Sequence, residues 1–186
     1  MKKITSVILA IAMIFALAVT AMAAEIADCT VSADSVSATA GGTVTVPIRI
    51  SGNRGFTNFG IALDYDREQL ELLSIQTAEG ETPYLCGTTV AVNTQWTGTD
   101  EKTFGYVTAA LEEAATADGI LFTATFRVSG DFSGTAAVQP VVQYMRSNKR
   151  LLSVFDAIPV TTVSGTVSAA LVGDYDRNGK VNVADV

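Results

Sequence analysis

The densest set of metal-type ligands in the sequence lies at its end. Residues 174–185 read Asp-Tyr-Asp-Arg-Asn-Gly-Lys-Val-Asn-Val-Ala-Asp. Taken as a twelve-residue loop, they put oxygen-bearing side chains at positions 1, 3, 5, 9 and 12: Asp174, Asp176, Asn178, Asn182 and Asp185. Gly179 stands at position 6, where such a loop must turn sharply, and Lys180 at position 7 offers its backbone carbonyl. Val181 follows as the apolar residue that packs the loop inward. Calcium is a hard cation that takes about six to eight oxygens, so Ca2+ is the expected cofactor of this segment. The plainer alternative is an Asp/Asn/Gly-rich surface turn.

Elsewhere the chemistry is mostly excluded. The chain of 186 residues has no histidine, which removes Ser-His-Asp and Cys-His catalysis and imidazole metal sites. Glycoside hydrolysis needs two carboxylates facing one cleft. Glu112 and Glu113 are adjacent and so point to opposite faces of a strand. Asp64 and Asp66 share a side only if a strand runs through both. Asp66 instead reads as the cap of a turn through residues 67–69, with Leu70 re-entering the core. No enzyme is expected. The 12 Lys+Arg against 19 Asp+Glu argue against nucleic acid and against an anionic membrane surface.

The N-terminus reads as an address. Lys2 and Lys3 precede an apolar run over residues 4–21, and Ala21-Met22-Ala23 offers a small-x-small cleavage pattern. Residues 1–23 are expected to be a signal peptide, the alternative being an uncleaved anchor. The expected location is secreted, with cell-surface association possible. Export would let Cys29 and Cys86 meet an oxidising environment, so a disulfide and two thiols are both open.

The elements that must carry these residues are strands. Residues 43–50 alternate behind Gly41-Gly42, and Pro47 within them implies an edge or a bulge. Residues 58–65 alternate more clearly, with Phe59, Ile61, Leu63 and Tyr65 on one face and Asn58, Gly60, Ala62 and Asp64 on the other. Further runs cover 70–76, 88–94, 104–111, 120–128, 135–143 and 160–168. With a first strand near Cys29 this gives nine. No stretch beyond the leader has a 3.6-residue period, so the expectation is an all-β, nine-stranded jelly-roll sandwich. Phe59, Ile61, Leu63, Leu72, Phe122, Phe126 and Val128 are its expected core, each stabilising by ~1.5–3 kcal/mol when buried.

Three pieces of this pattern, in order, carry a family resemblance. They are Val44-Thr45-Val46-Pro47-Ile48, then residues 59–66 followed by Leu70, then residues 118–122 with Phe126-Arg127-Val128. Together they resemble a cellulosomal cohesin over residues 29–169. The resemblance implies a jelly-roll sandwich that binds dockerin-bearing proteins in a polysaccharide-degrading system. Residues 170–186, with Gly-Asp in front and Val-Asn inside the loop, resemble the first repeat of a dockerin, an EF-hand-like unit whose last ligand is Asp185 rather than Glu. Such a unit, once completed, implies a cohesin as a further partner. Its exit helix and second repeat lie beyond Val186, so weak or no calcium binding is expected of the 186-residue chain.

If Phe104 and Tyr106 face the core, their strand shows Gly105, Val107, Ala109 and Leu111 on its other side. With Asn58, Gly60, Ala62 and Asp64 this makes a flat platform of small residues, rimmed by Glu112, that helices of a partner could cover. The resemblance places dockerin recognition there. Gly60 stands where cohesins of the best-known type carry an acidic residue that hydrogen-bonds the dockerin. The competing reading is a carbohydrate-binding sandwich with polysaccharide as partner. It needs a row of exposed aromatics, and Trp96, Tyr84, Tyr106 and Tyr144 show no alternating strip.

Overall fold

The computed structural model describes residues 29–77, 85, 90–98, 103–147 and 156–170. The signal-peptide segment, Cys86 and the calcium-type loop lie outside them. The described chain holds twelve strands and no helix. They are β1 (Cys29–Ala33), β2 (Val36–Ala38), β3 (Thr43–Ser51), β4 (Phe56–Tyr65), β5 (Leu70–Gln76) and β6 (Val90–Thr97). Then come β7 (Thr103–Ala115), β8 (Gly119–Val128), β9 (Thr135–Ser147), β10 (Asp156–Ala157), β11 (Val160–Val163) and β12 (Gly165–Ala169).

They form two sheets, ordered β11-β1-β3-β8-β5 and β2-β12-β9-β4-β7-β6, with β10 beside β9. The expected sandwich is present, but nine strands become twelve. Two short strands, β2 and β10, had no sequence signal of their own. The run over 160–168 breaks at Ser164 into β11 and β12, one in each sheet. The chain crosses likewise at its start, with β1 in one sheet and β2 in the other. Both crossings meet at Gly165, where an added Cβ would clash with the carbonyl oxygen of Asp34 and stand 2.6 Å from that of Ala33. Thr166 N–H donates to Ser35 Oγ at 3.2 Å across the same point. Two parallel pairs result, β1 with β11 and β2 with β12.

Alternation places the core as read. Phe59, Ile61, Leu63, Phe122, Phe126 and Val128 are all buried, while Leu72 is half-buried. Tyr65 joins them edge-on to Phe126, with ring centroids 4.9 Å apart. Pro47 lies just past the β1–β3 ladder, which ends at Ala33 opposite Ile48. Its carbonyl accepts Asp34 N–H at 2.9 Å, so the absent proline donor falls where no ladder partner needs it. A bulge follows at Ile48/Arg49.

Asp66 does what its turn signal implied. Its carboxylate accepts Glu68 N–H at 2.9 Å and its carbonyl accepts Leu70 N–H at 2.9 Å. A second carboxylate clasp was not read from the sequence. Asp118 accepts the N–H groups of Gly52 and Asn53 at 3.2 and 2.9 Å, and Asn53 Nδ2 donates to the carbonyls of Ala115 and Ala117. This ties the β3–β4 turn to the end of β7.

Candidate partner-docking face

The outer face of the second sheet is a lattice fixed by register. On β4 it carries Asn58, Gly60, Ala62 and Asp64, as alternation implied, because Phe59, Ile61 and Leu63 point inward with no exposure. Opposite partners across β7 are Ala110 for Asn58, Thr108 for Gly60 and Tyr106 for Ala62. Across β9 they are Arg146, Tyr144 and Val141 in the same order. On β6, Asn93 stands opposite Tyr106 and Ala91 opposite Thr108. Residues directly opposite in a ladder share a face, so these side chains form one surface.

The platform expected on β7 is therefore corrected. Val107 and Ala109 are 0% and 2% exposed and belong to the core, and Leu111 packs against it. The cause is Gly105. Its φ is +66°, and the β4–β7 register shifts between Ala62 and Leu63, opposite the step from Tyr106 to Phe104. One residue of bulge lets Phe104 and Val107 both face inward, turning Tyr106, Thr108 and Ala110 outward. That positive φ is why the bulge residue is glycine, and a Cβ there would also stand 2.7 Å from Leu72 Cδ2.

The middle of the face is not bare. Gly60 is buried and Ala62 has no exposure, because side chains from β7 and β9 lie over them. A Cβ on Gly60 would clash with Tyr106 Oη and stand 2.5 Å from Tyr144 Cε1. Tyr144 Oη is 2.8 Å from Thr108 Oγ1, and that hydroxyl donates to the Phe59 carbonyl at 2.9 Å. With the threonine proton used there, Tyr144 is the donor to Thr108, and Tyr106 hydrogen-bonds Tyr144 in turn. Burial, reinforced by that bond, pushes the Tyr106 phenol up to about 12, so it stays protonated at neutral pH. Trp96 leans on Tyr106 with centroids 5.2 Å apart and planes 37° off parallel. The Arg146 guanidinium carbon lies 5.2 Å from the centre of the Tyr144 ring. Asn58 and Asp64 are half-buried within this face, and Glu112 is exposed toward the far end of β7.

Sequence spacing did not bring Trp96, Tyr106 and Tyr144 together; pairing across three strands does. The rings pack on each other and under Arg146, which is a different arrangement from rings set out singly along a sugar chain. Where the two sheets part at β5 and β6, a cleft of about 280 Å³ opens between Arg67, Leu72, Gln95, Trp96 and Phe104. Arg67 lies over the Phe104 ring there, at 4.1 Å.

Cys29 is a buried free thiol that donates to Met145 Sδ at 4.0 Å. Burial pushes it above its ordinary value, a positive charge at Arg54 opposing and Asp118 adding. Among the described residues no group of three or more acidic or thiol side chains could hold a metal ion, and the expected ligands Asp174, Asp176, Asn178, Lys180, Asn182 and Asp185 lie outside them.

The Cohesin domain family matches residues 29–169, most of the chain. The chain belongs to the cohesin domain family. Cohesin folds of known structure agree with it. The seventh ScaB type I cohesin of Pseudobacteroides cellulosolvens superposes with a TM-score of 0.60 at 21% identity, over 78% of this chain and 95% of that one. The cohesin of the Coh-OlpA-Doc918 type I cohesin-dockerin complex from Clostridium thermocellum gives 0.61 at 17% identity, over 76% and 99%. A non-cellulosomal cohesin from the archaeon Archaeoglobus fulgidus gives 0.60 at 20%, over 81% and 96%. No curated protein matches by sequence. The cohesin family is one of non-catalytic assembly modules, and the archaeal relative is a non-cellulosomal one.

Proposed function

We propose that this cohesin is a secreted assembly module that docks dockerin-bearing proteins on the outer face of β9, β4, β7 and β6. The carrying observation is family membership together with that face. Its floor is Gly60 and Ala62, and its upper surface is aromatic and polar in the manner of a protein interface. Asn58 and Asp64 are proposed as contacts there, over the Gly60 floor, with Glu112 proposed at the rim. Tyr106, Thr108, Ala110, Tyr144 and Arg146 take the places of Val107, Ala109 and Leu111. Solved relatives were captured with dockerins, including a cohesin of Acetivibrio cellulolyticus scaffoldin B bound to the Cel5 dockerin. A polysaccharide-degrading setting is the proposed context.

Calorimetric titration of the full chain with purified dockerins, in calcium and again in chelator, tests the reading. Calcium-dependent one-to-one binding to a dockerin supports it. Retardation by cellulose or xylan with no dockerin binding would replace it with the carbohydrate-binding alternative.

The proposal extends to the C-terminal segment. There Asp174, Asp176, Asn178, Asn182 and Asp185, with the Lys180 carbonyl, hold calcium as part of a dockerin repeat that binds a cohesin. The donor set supports it: all oxygen, at the spacing a calcium loop uses. Tyr175 within the loop can sensitise terbium. A chain extended by a second repeat should show tyrosine-excited terbium emission that calcium competes away and Asp174→Ala removes. Absence of emission from the extended chain would remove the calcium reading.

A further inference from the structure

Among its described residues the docking face carries one exposed cation, in an acidic protein of net charge −7, and that cation is held in place. Two ion pairs are formed among the described residues, Arg49 with Asp34 and Arg127 with Glu71. Register puts both arginines on the outer face of the other sheet, Arg49 opposite Ser32 and Arg127 opposite Thr43. Arg146 takes part in neither. It is exposed, opposite Asn58, and lies over the Tyr144 ring.

That ring cannot wander. Its hydroxyl is anchored to Thr108, whose own proton is fixed on the Phe59 carbonyl, and its edge rests on Gly60. A guanidinium stacked on a fixed aromatic face loses little conformational freedom on binding and leaves its planar fork for a carboxylate. The Asn58 amide is across the strand and adds a neutral donor beside it. Neither the tyrosine-threonine chain nor Asn58 supplies an anion. Among the described residues of this face, Arg146 is the cation that takes an anionic counterpart.

We propose that Arg146, seated on Tyr144 beside Asn58, sets partner specificity by taking an Asp or Glu carboxylate from the contact helix of the docked dockerin. The inference rests on the docking reading above. The Asp64 carboxylate, toward the opposite end of the face from Arg146, would repel a partner acidic throughout. The matching partner is therefore acidic where it meets the Asn58–Arg146 end of the face rather than along its length.

The test uses the full chain and a panel of purified, calcium-loaded dockerins. These are sorted by whether the end turn of the contact helix, which meets the Asn58–Arg146 row, carries Asp/Glu, Ser/Thr or Lys/Arg. The acidic group should bind about tenfold tighter or more, the scale of a hydrogen bond to a charged group. Arg146→Glu should invert that order toward the Lys/Arg group, and Arg146→Lys should keep the order with weaker binding. An order unchanged by Arg146→Glu overturns the proposal, as does binding of polygalacturonate in place of any dockerin. Ala110→Trp separates the two levels. If it abolishes binding while Arg146→Glu leaves the order alone, the face stands and the specificity role falls. If Ala110→Trp has no effect on a bound dockerin, the face itself is wrong, and this inference falls with it.

Discussion

At Gly60 a single missing side chain decides what the face presents. Its absence lets Tyr106 and Tyr144 lie over the strand, and their ring positions in turn place Trp96 and Arg146. Gly60→Ala should therefore displace the tyrosine rings and break the Tyr144–Thr108 hydrogen bond rather than move the strand, which is paired on both sides. The expected stability loss is about 1–3 kcal/mol by chemical denaturation. The expected effect on dockerin affinity is larger than that loss implies, because the docking surface is rearranged. Unchanged affinity would separate Gly60 from docking. The residue types of this cluster were visible in the sequence, but their meeting was not. The 135–143 run stopped short of Tyr144 and Arg146, whereas β9 continues to Ser147 past an irregularity opposite Gly60/Ile61. Asn58 and Asp64, by contrast, were legible from simple alternation.

Among elements, alternation in β4 was decisive because a strand paired on both sides and packed on the core has a strict period of two. The same rule failed in β7 for a physical reason. A bulge glycine and a platform glycine look alike in sequence, and one extra residue reverses every later face. The strand crossings were equally hidden, since Ser164 alone interrupts a single β-prone run. Gly165 offers a sharper test than Gly60. A Cβ there meets backbone carbonyls of Ala33 and Asp34, which cannot swing aside. Gly165→Ala should cost more than Gly60→Ala in denaturation midpoint, since both strand pairs at the crossing must shift. An equal or smaller loss would mean the crossing is not tightly built. The clasp at the β3–β4 turn gives a milder case. Asp118→Ala frees two backbone donors at an exposed site and should cost about 1 kcal/mol.

For the whole molecule, the lack of histidine leaves stability without a titrating switch near neutrality. The alkaline side is different. Burial raises Cys29 above 9.0 and Tyr65 above 10.0, and pushes Tyr106 up to about 12. Each favours its neutral form in the fold. Their contribution is complete below the unfolded values and is lost as pH rises through the raised ones. Urea midpoints should hold steady from neutral pH to about 9 and then fall toward 12. Cys29→Ala should remove the earliest part of that fall, and a midpoint flat to pH 12 would contradict the burial of these groups.

Two broad faces of the sandwich could meet a partner, and choosing between them is the most direct check on the proposed function. Ala110 is exposed on the outer face of β7, and Thr45 is exposed on the outer face of β3 in the other sheet. Both accept a bulky side chain without touching the core. The measurement is calorimetric titration of a calcium-loaded dockerin into Ala110→Trp and Thr45→Trp. Loss of binding in Ala110→Trp, with Thr45→Trp unchanged, is the expected result. Binding kept in Ala110→Trp and lost in Thr45→Trp would put the docking surface on the other sheet.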